Sequence, residues 1–245
     1  MFADEETANF SVRSWGTARH FDRVTRYRTV LFDLDGTLLD HFGAIHRTHS
    51  QTMEKLGLPP PTMEQVRRAV GGGLDEAVRR IVGPQHEHLV AQAAPLYRSL
   101  WPNNILYELR VLPGAREVLQ ALRADGVRCA VFTNKHGDSS RTLMQHTGLD
   151  AYLDGIFGAF DTPWLKPDPK FAQHALKTLG ADPATACLVG DSPYDVQAGI
   201  AAGFPCFCVT TGTHNAEELN AAGAAGVYPD LATLGREALG IQVSS

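Results

Sequence analysis

One stretch constrains the fold more than any other: Thr29-Val30-Leu31-Phe32-Asp33-Leu34-Asp35-Gly36-Thr37-Leu38-Leu39-Asp40. It opens as an apolar run with β-branched and aromatic side chains, the pattern of a strand buried on both faces of a parallel sheet. Two carboxylates follow, spaced i and i+2, and then a glycine. Acids at the end of a buried strand lie at the carboxyl edge of the sheet, where open α/β sheets bind ligands. Strict alternation points Asp33 and Asp35 the same way, but Gly36 breaks the strand and lets the second side chain turn. One carboxylate can then attack while the other handles protons. Close carboxylates repel, so a divalent cation or a lysine is expected beside them. A plain strand end with an Asp-Gly turn has the same local sequence, so distant partners must decide.

Composition narrows the class. The chain has 245 residues, 44% hydrophobic and 20% charged, an ordinary globular profile with material for a sizeable core. A formal net charge of -5 gives no basic excess for nucleic acid. No apolar run approaches the roughly 18 residues of a membrane span. The acidic start, Met1 to Glu6, lacks the apolar core of a secretory signal. Cys129, Cys187, Cys206 and Cys208 lie in apolar strand-like runs and read as buried free thiols, which suits a cytoplasmic location. The Cys206-Phe207-Cys208 spacing is too short for the usual zinc pair. His46 and His49, and His86 with His88, do not assemble three ligands with an acid in register.

The rhythm along the chain predicts a doubly wound parallel sheet. Residues 1–27 read as a flexible N-terminal extension with little core material. Residues 28–40 and 109–245 form the α/β core, and residues 41–108 form a helical insert after the first strand. In the insert, helices run from Ile45 to Leu56, from a Thr62 cap, from Leu74 to Val82, and from Leu89 to Leu100 with Pro95 interrupting its start. In the core, strands at Arg128–Phe132, Gly155–Phe160, Ala186–Val189 and Pro205–Val209 alternate with helices, implying right-handed crossovers. Thr133 to Gly137 reads as a loop, with Asp138 capping the next helix.

Three more strand ends carry suitable polar groups. Thr133 and Asn134 follow Val131-Phe132 and can donate to a phosphoryl oxygen. Lys166 sits in Trp164-Leu165-Lys166-Pro167-Asp168-Pro169, a rigidly presented ammonium. In Leu188-Val189-Gly190-Asp191-Ser192-Pro193-Tyr194-Asp195 a buried strand again leads to glycine and an acid. Asp191 can complete a magnesium site with Asp33, and Asp195 can hold Lys166 or a metal-bound water. Singly, each set is an ordinary turn or helix cap.

Together and in order, these sets resemble the four motifs of the haloacid dehalogenase (HAD) superfamily, over roughly residues 29–235. Asp33-Leu34-Asp35-Gly36-Thr37 is similar to the first motif, Thr133 to the second, Lys166-Pro167 to the third and Gly190 to Asp195 to the fourth. Gly71-Gly72-Gly73-Leu74 and Asn134-Lys135 resemble the phosphoglycolate phosphatase branch. The resemblance implies a Rossmann-like core with a small helical cap, and a monomer or homodimer acting on a small phosphorylated metabolite such as 2-phosphoglycolate. It implies Asp33 as nucleophile, Asp35 as general acid and base, and Mg²⁺ held by Asp33, the Asp35 carbonyl and Asp191. It also implies Lys166, Thr133 and Asn134 on the phosphoryl group. The superfamily's dehalogenases lack an acid at the Asp35 position, so its presence favours a phosphate ester. His41 and His136 depart from the pattern, both expected near the cleft mouth. A phosphosugar mutase, pyrophosphatase or nucleotidase of the same fold is the near alternative, and a phospho-acceptor signalling module the distant one.

Overall fold

The computed structural model describes residues 26–242. In chain order, β1 (Thr29–Phe32) and the short β2 (Leu39–Asp40) precede four helices: α1 (Phe42–Lys55), α2 (Met63–Ala69), α3 (Leu74–Val82) and α4 (Val90–Asn104). Then come β3 (Arg110–Val111), α5 (Ala115–Ala124), β4 (Arg128–His136), α6 (Gly137–Thr147) and β5 (Gly155–Ala159). The chain continues through α7 (Pro169–Leu179), β6 (Ala186–Gly190), α8 (Pro193–Ala202), β7 (Cys206–Val209), α9 (Ala216–Ala222), β8 (Gly226–Tyr228) and α10 (Leu231–Glu237).

Six strands form one parallel sheet in the order β5-β4-β1-β6-β7-β8. β1 is central and all four of its residues are buried. Its side chains alternate between two cores, as the strand period demands. Val30 and Phe32 pack with Val118, Leu119 and Leu122 of α5 and Leu143 of α6. Leu31 packs on the opposite face with Phe171 and Leu176 of α7 and Val196 of α8. Helices on both faces and parallel strands make a doubly wound sheet, the expected fold class.

Register brings the motif ends level. Phe32 pairs with Val131 on one side and Val189 on the other. Asp33, Thr133 and Asp191 therefore leave adjacent strands at the same edge. Helices α1–α4 depart after β2, pack on one another around Met53, Val78, Val82 and Ala93, and return through β3, which pairs antiparallel with β2. Thr62 caps α2 in a reciprocal box with Gln65, as its sequence predicts.

Several expectations change. Most of the expected N-terminal extension lies outside the described residues, but Tyr27 at its end is 5% exposed and belongs to the core. α4 runs through both Pro95 and Pro102; burial of Ala93, Ala94 and Tyr97 outweighs the backbone bonds that proline cannot make. β4 extends to His136 instead of ending at Phe132, because pairing with β5 resumes at Ala159 after a register shift. The cap of α6 is His136, whose Nδ1 accepts from the Asp138 amide, and not Asp138. β8 was not expected; three residues of Gly-Val-Tyr carry too little pattern to read.

Candidate active site

The site is built where β1, β4 and β6 end. Asp33 leaves β1 with its amide donating to the Val189 carbonyl at 2.9 Å. Lys166, 4% exposed, reaches it from the segment before α7. Lys166 Nζ lies 2.8 Å from Asp33 Oδ1 and 2.7 Å from Asp195 Oδ1. Asp195 sits in the first turn of α8, and its second oxygen accepts from the amides of Asp191 and Ser192 and from the Ser192 hydroxyl. Burial pushes the Asp33 carboxyl up to about 6, against the pull of Lys166. Burial works against the Lys166 ammonium, but Asp195 and Asp33 outweigh it and raise its pKa.

Asp191 is held by two threonines. Thr37 donates to Oδ1 at 3.1 Å, and the Thr213 amide and hydroxyl each donate to Oδ2 at 2.8 Å. Burial and then the Asp33 charge raise the Asp191 pKa well above the usual carboxylate range. Gly36 makes the approach possible. Its φ is +89°, and a Cβ there would lie 2.7 Å from Asp191 Oδ2.

Asp35 turns away from Asp33, as the Gly36 break suggested. Lys135 Nζ donates to Asp35 Oδ2 at 2.8 Å, and His41 Nδ1 lies 3.4 Å from Oδ1. Burial works to raise the Asp35 pKa, but Lys135 and then His41 hold it well below the usual carboxylate range. His41 is fully buried, not at the cleft mouth. Its Nε2 donates to the Ile105 carbonyl at 2.6 Å, and its ring meets Trp101 edge-on.

Thr133 lies beside Asp33 and lowers its pKa against burial, and its Oγ1 accepts from the Lys135 amide at 3.2 Å. Asn134 behaves differently from expectation. Its amide donates to the carbonyls of Gly71 and Lys166 and accepts from the Lys166 amide. Both of its side-chain N–H groups are thus committed. The side chain ties the Gly71 loop and the Lys166 segment to β4. Gly71 adopts φ +120°, and a Cβ there would lie 2.9 Å from the Tyr194 ring. The loop therefore docks on α8 as well as bordering the cleft.

Carboxyl oxygens of Asp33, Asp191 and Asp195 lie within 4.8 Å of one another. Asp195 is saturated by Lys166 and three donors, so the open pair is Asp33 and Asp191. Two buried carboxylates with raised pKa values form a hard, all-oxygen donor set that fits a divalent cation such as Mg²⁺. Asp33 and Asp35 border a cavity of about 540 Å³ whose walls include Gly71–Gly73, Trp101, Lys135 and Phe160.

Lys135, His41, Thr37 and Thr213 were not assigned roles at the site in advance. Thr213 carried a readable signal: Thr210-Thr211-Gly212-Thr213 is a polar cluster directly after an apolar strand. His41 carried none.

The haloacid dehalogenase-like hydrolase profile matches residues 30–209. The chain is a haloacid dehalogenase-like hydrolase. It is 33% identical over 210 residues to a phosphoglycolate phosphatase of Thiobacillus denitrificans, covering 84% of this chain and 92% of that one. It is 34% identical over 214 residues to a phosphoglycolate phosphatase of Pseudomonas putida, covering 84% and 78%. A solved haloacid dehalogenase-like hydrolase of Streptococcus pneumoniae shares the fold, with TM-score 0.77 at 22% identity over 85% of this chain and 97% of that one. Among the described residues, no helix is long and apolar enough to cross a membrane.

Proposed function

We propose that this hydrolase is a Mg²⁺-dependent phosphatase that cleaves a small phosphate monoester through an aspartyl-phosphate. The observation that carries the reading is Lys166 bridging Asp33 and Asp195 beside Asp191, at the ends of β1 and β6. Asp33, with its ammonium neighbour, is the nucleophile. Its carboxylate oxygen bonds to phosphorus as the ester oxygen leaves. Asp35 gives that oxygen a proton, then takes one from the water that attacks the acyl phosphate. Inorganic phosphate leaves and Asp33 is regenerated. The resting Asp35 carboxylate is the form that activates water. For the first half-reaction it must carry a proton, which its tie to Lys135 opposes.

Asp33, Asp191 and the Asp35 carbonyl would hold Mg²⁺, which when bound offsets charge on the transferring group. Lys166 offsets the same charge from the other side. Thr133 and the backbone at Asn134 orient phosphoryl oxygens. Residues 41–108 act as a cap that excludes water. The curated relatives' names make 2-phosphoglycolate the first ester to assay. The test is phosphate release with Mg²⁺ and with EDTA. Release that needs Mg²⁺ and fails in Asp33→Asn supports the reading; release unaffected by EDTA and by that substitution refutes it.

A further inference from the structure

We infer that the alcohol carried by the substrate has a bulky apolar or aromatic body without a second carboxylate, with Phe160 among the side chains that receive it. This deepens the phosphatase reading and rests on it.

The cavity is the first observation. At about 540 Å³ it has room for roughly eighteen waters at about 30 Å³ each. 2-Phosphoglycolate would leave much of that space to water. Ile45, Leu74, Tyr97, Trp101, Phe160 and Leu165 contribute apolar wall, and Asp33, Asp35, Thr133 and Lys135 are among its polar groups. Cavities of this size and lining suit drug-sized organic ligands.

The cations are the second. A glycolate carboxylate needs a positive partner once out of water. Each ammonium or guanidinium bordering the cavity already faces an acid. Lys135 holds Asp35, and Arg98 donates to Asp75 at 2.8 Å. His49, buried on the Tyr97 ring, is pushed by burial down to about 3 and stays neutral. The N-terminal turn of α3 carries Asp75 and Glu76, which already complement its dipole.

Phe160 is the third. It adopts φ +71°, a region a bulky residue rarely enters, and its side chain is 68% exposed. A large apolar ring held in a costly conformation at a cavity wall is the kind of strain found at binding sites. The His136 ring packs 5.0 Å from it, and the Arg98 guanidinium lies 5.8 Å from its centroid. Neither covers it.

The test compares kcat/KM for ethyl phosphate, 2-(1-naphthyl)ethyl phosphate and 2-phosphoglycolate, with Mg²⁺. The first two release similar alkoxides, so they differ in the body and not in the leaving oxygen. The naphthyl ester is expected to exceed both others by about tenfold or more. Phe160→Gly, which relieves the positive φ, should cut that advantage several-fold. Equal rates for the naphthyl and ethyl esters, a preference for 2-phosphoglycolate, or an advantage untouched by Phe160→Gly would overturn the inference while the phosphatase reading stands. Hydrolysis of none of the three would overturn both.

Discussion

Lys166 Nζ lies 2.7 Å from Asp195 Oδ1, and neither side chain reaches solvent beyond 1%. With Asp33 at 2.8 Å on its other side, this one ammonium serves two buried carboxylates. Removing one member of a buried ionic group leaves uncompensated charge, which costs about 3–5 kcal/mol. Lys166→Met should lower unfolding free energy by that order at pH 7.5 without Mg²⁺, as read by urea denaturation. A loss near zero would show that the triad contributes nothing to the fold. Turnover should fall with it.

Asp33 sets a pH dependence of definite sign. Its carboxyl rises on folding from 3.8 to about 6 because burial disfavours the ion. A raised carboxyl favours the folded state when protonated. That contribution is complete below pH 3.8 and is lost as pH climbs through 6, at a cost of about 3 kcal/mol above it. A cation bound to the carboxylate relieves the cost. Mg²⁺ should therefore bind about tenfold more weakly at pH 5 than at pH 8, seen as a smaller rise in Tm. Asp33→Asn should reduce the pH dependence and leave only the part that Asp191 carries. Equal shifts at both pH values would contradict the assignment.

His49 acts in the opposite direction. Burial depresses its pKa from 6.5 to about 3, so the folded protein resists protonation there. Stability from the neutral ring is present above pH 6.5 and lost as pH falls toward 3. At pH 5 the loss is about 2 kcal/mol. His49→Phe keeps a ring against Tyr97 and should flatten the acid side of a plot of stability against pH. An unchanged slope would assign acid sensitivity elsewhere.

Most of the site was legible because its residues end buried strands, where an apolar run followed by glycine and acid marks the sheet edge. Asp33, Asp35, Lys166, Asp191 and Asp195 come together as those strand ends predicted. The ties of the Asn134 side chain were not legible, for a physical reason. A strand-end amide can face ligand or backbone, and only the path of the Gly71 loop decides which. His41 was illegible because nothing in Asp40-His41-Phe42 states that the following helix would fold the ring inward onto Asp35. The prolines of α4 misled because local propensity is weak against burial of Ala93 and Tyr97.

Asp35 separates binding from turnover. Asp35→Asn keeps the size of the side chain and removes its proton chemistry. Turnover should drop by about 10²–10⁴ while inorganic phosphate still binds. Turnover within a few-fold of the parent protein would remove Asp35 from the acid–base role.

In this mechanism Asp33 carries the phosphoryl group during turnover. The direct measurement is rapid acid quench during turnover of 2-phosphoglycolate or ethyl phosphate, followed by peptide mass spectrometry. One added phosphoryl group is expected on the peptide containing Asp33, longer-lived in Asp35→Asn and absent in Asp33→Asn. A phosphoryl group on any other residue, or turnover by Asp33→Asn at the parent rate, would contradict this mechanism.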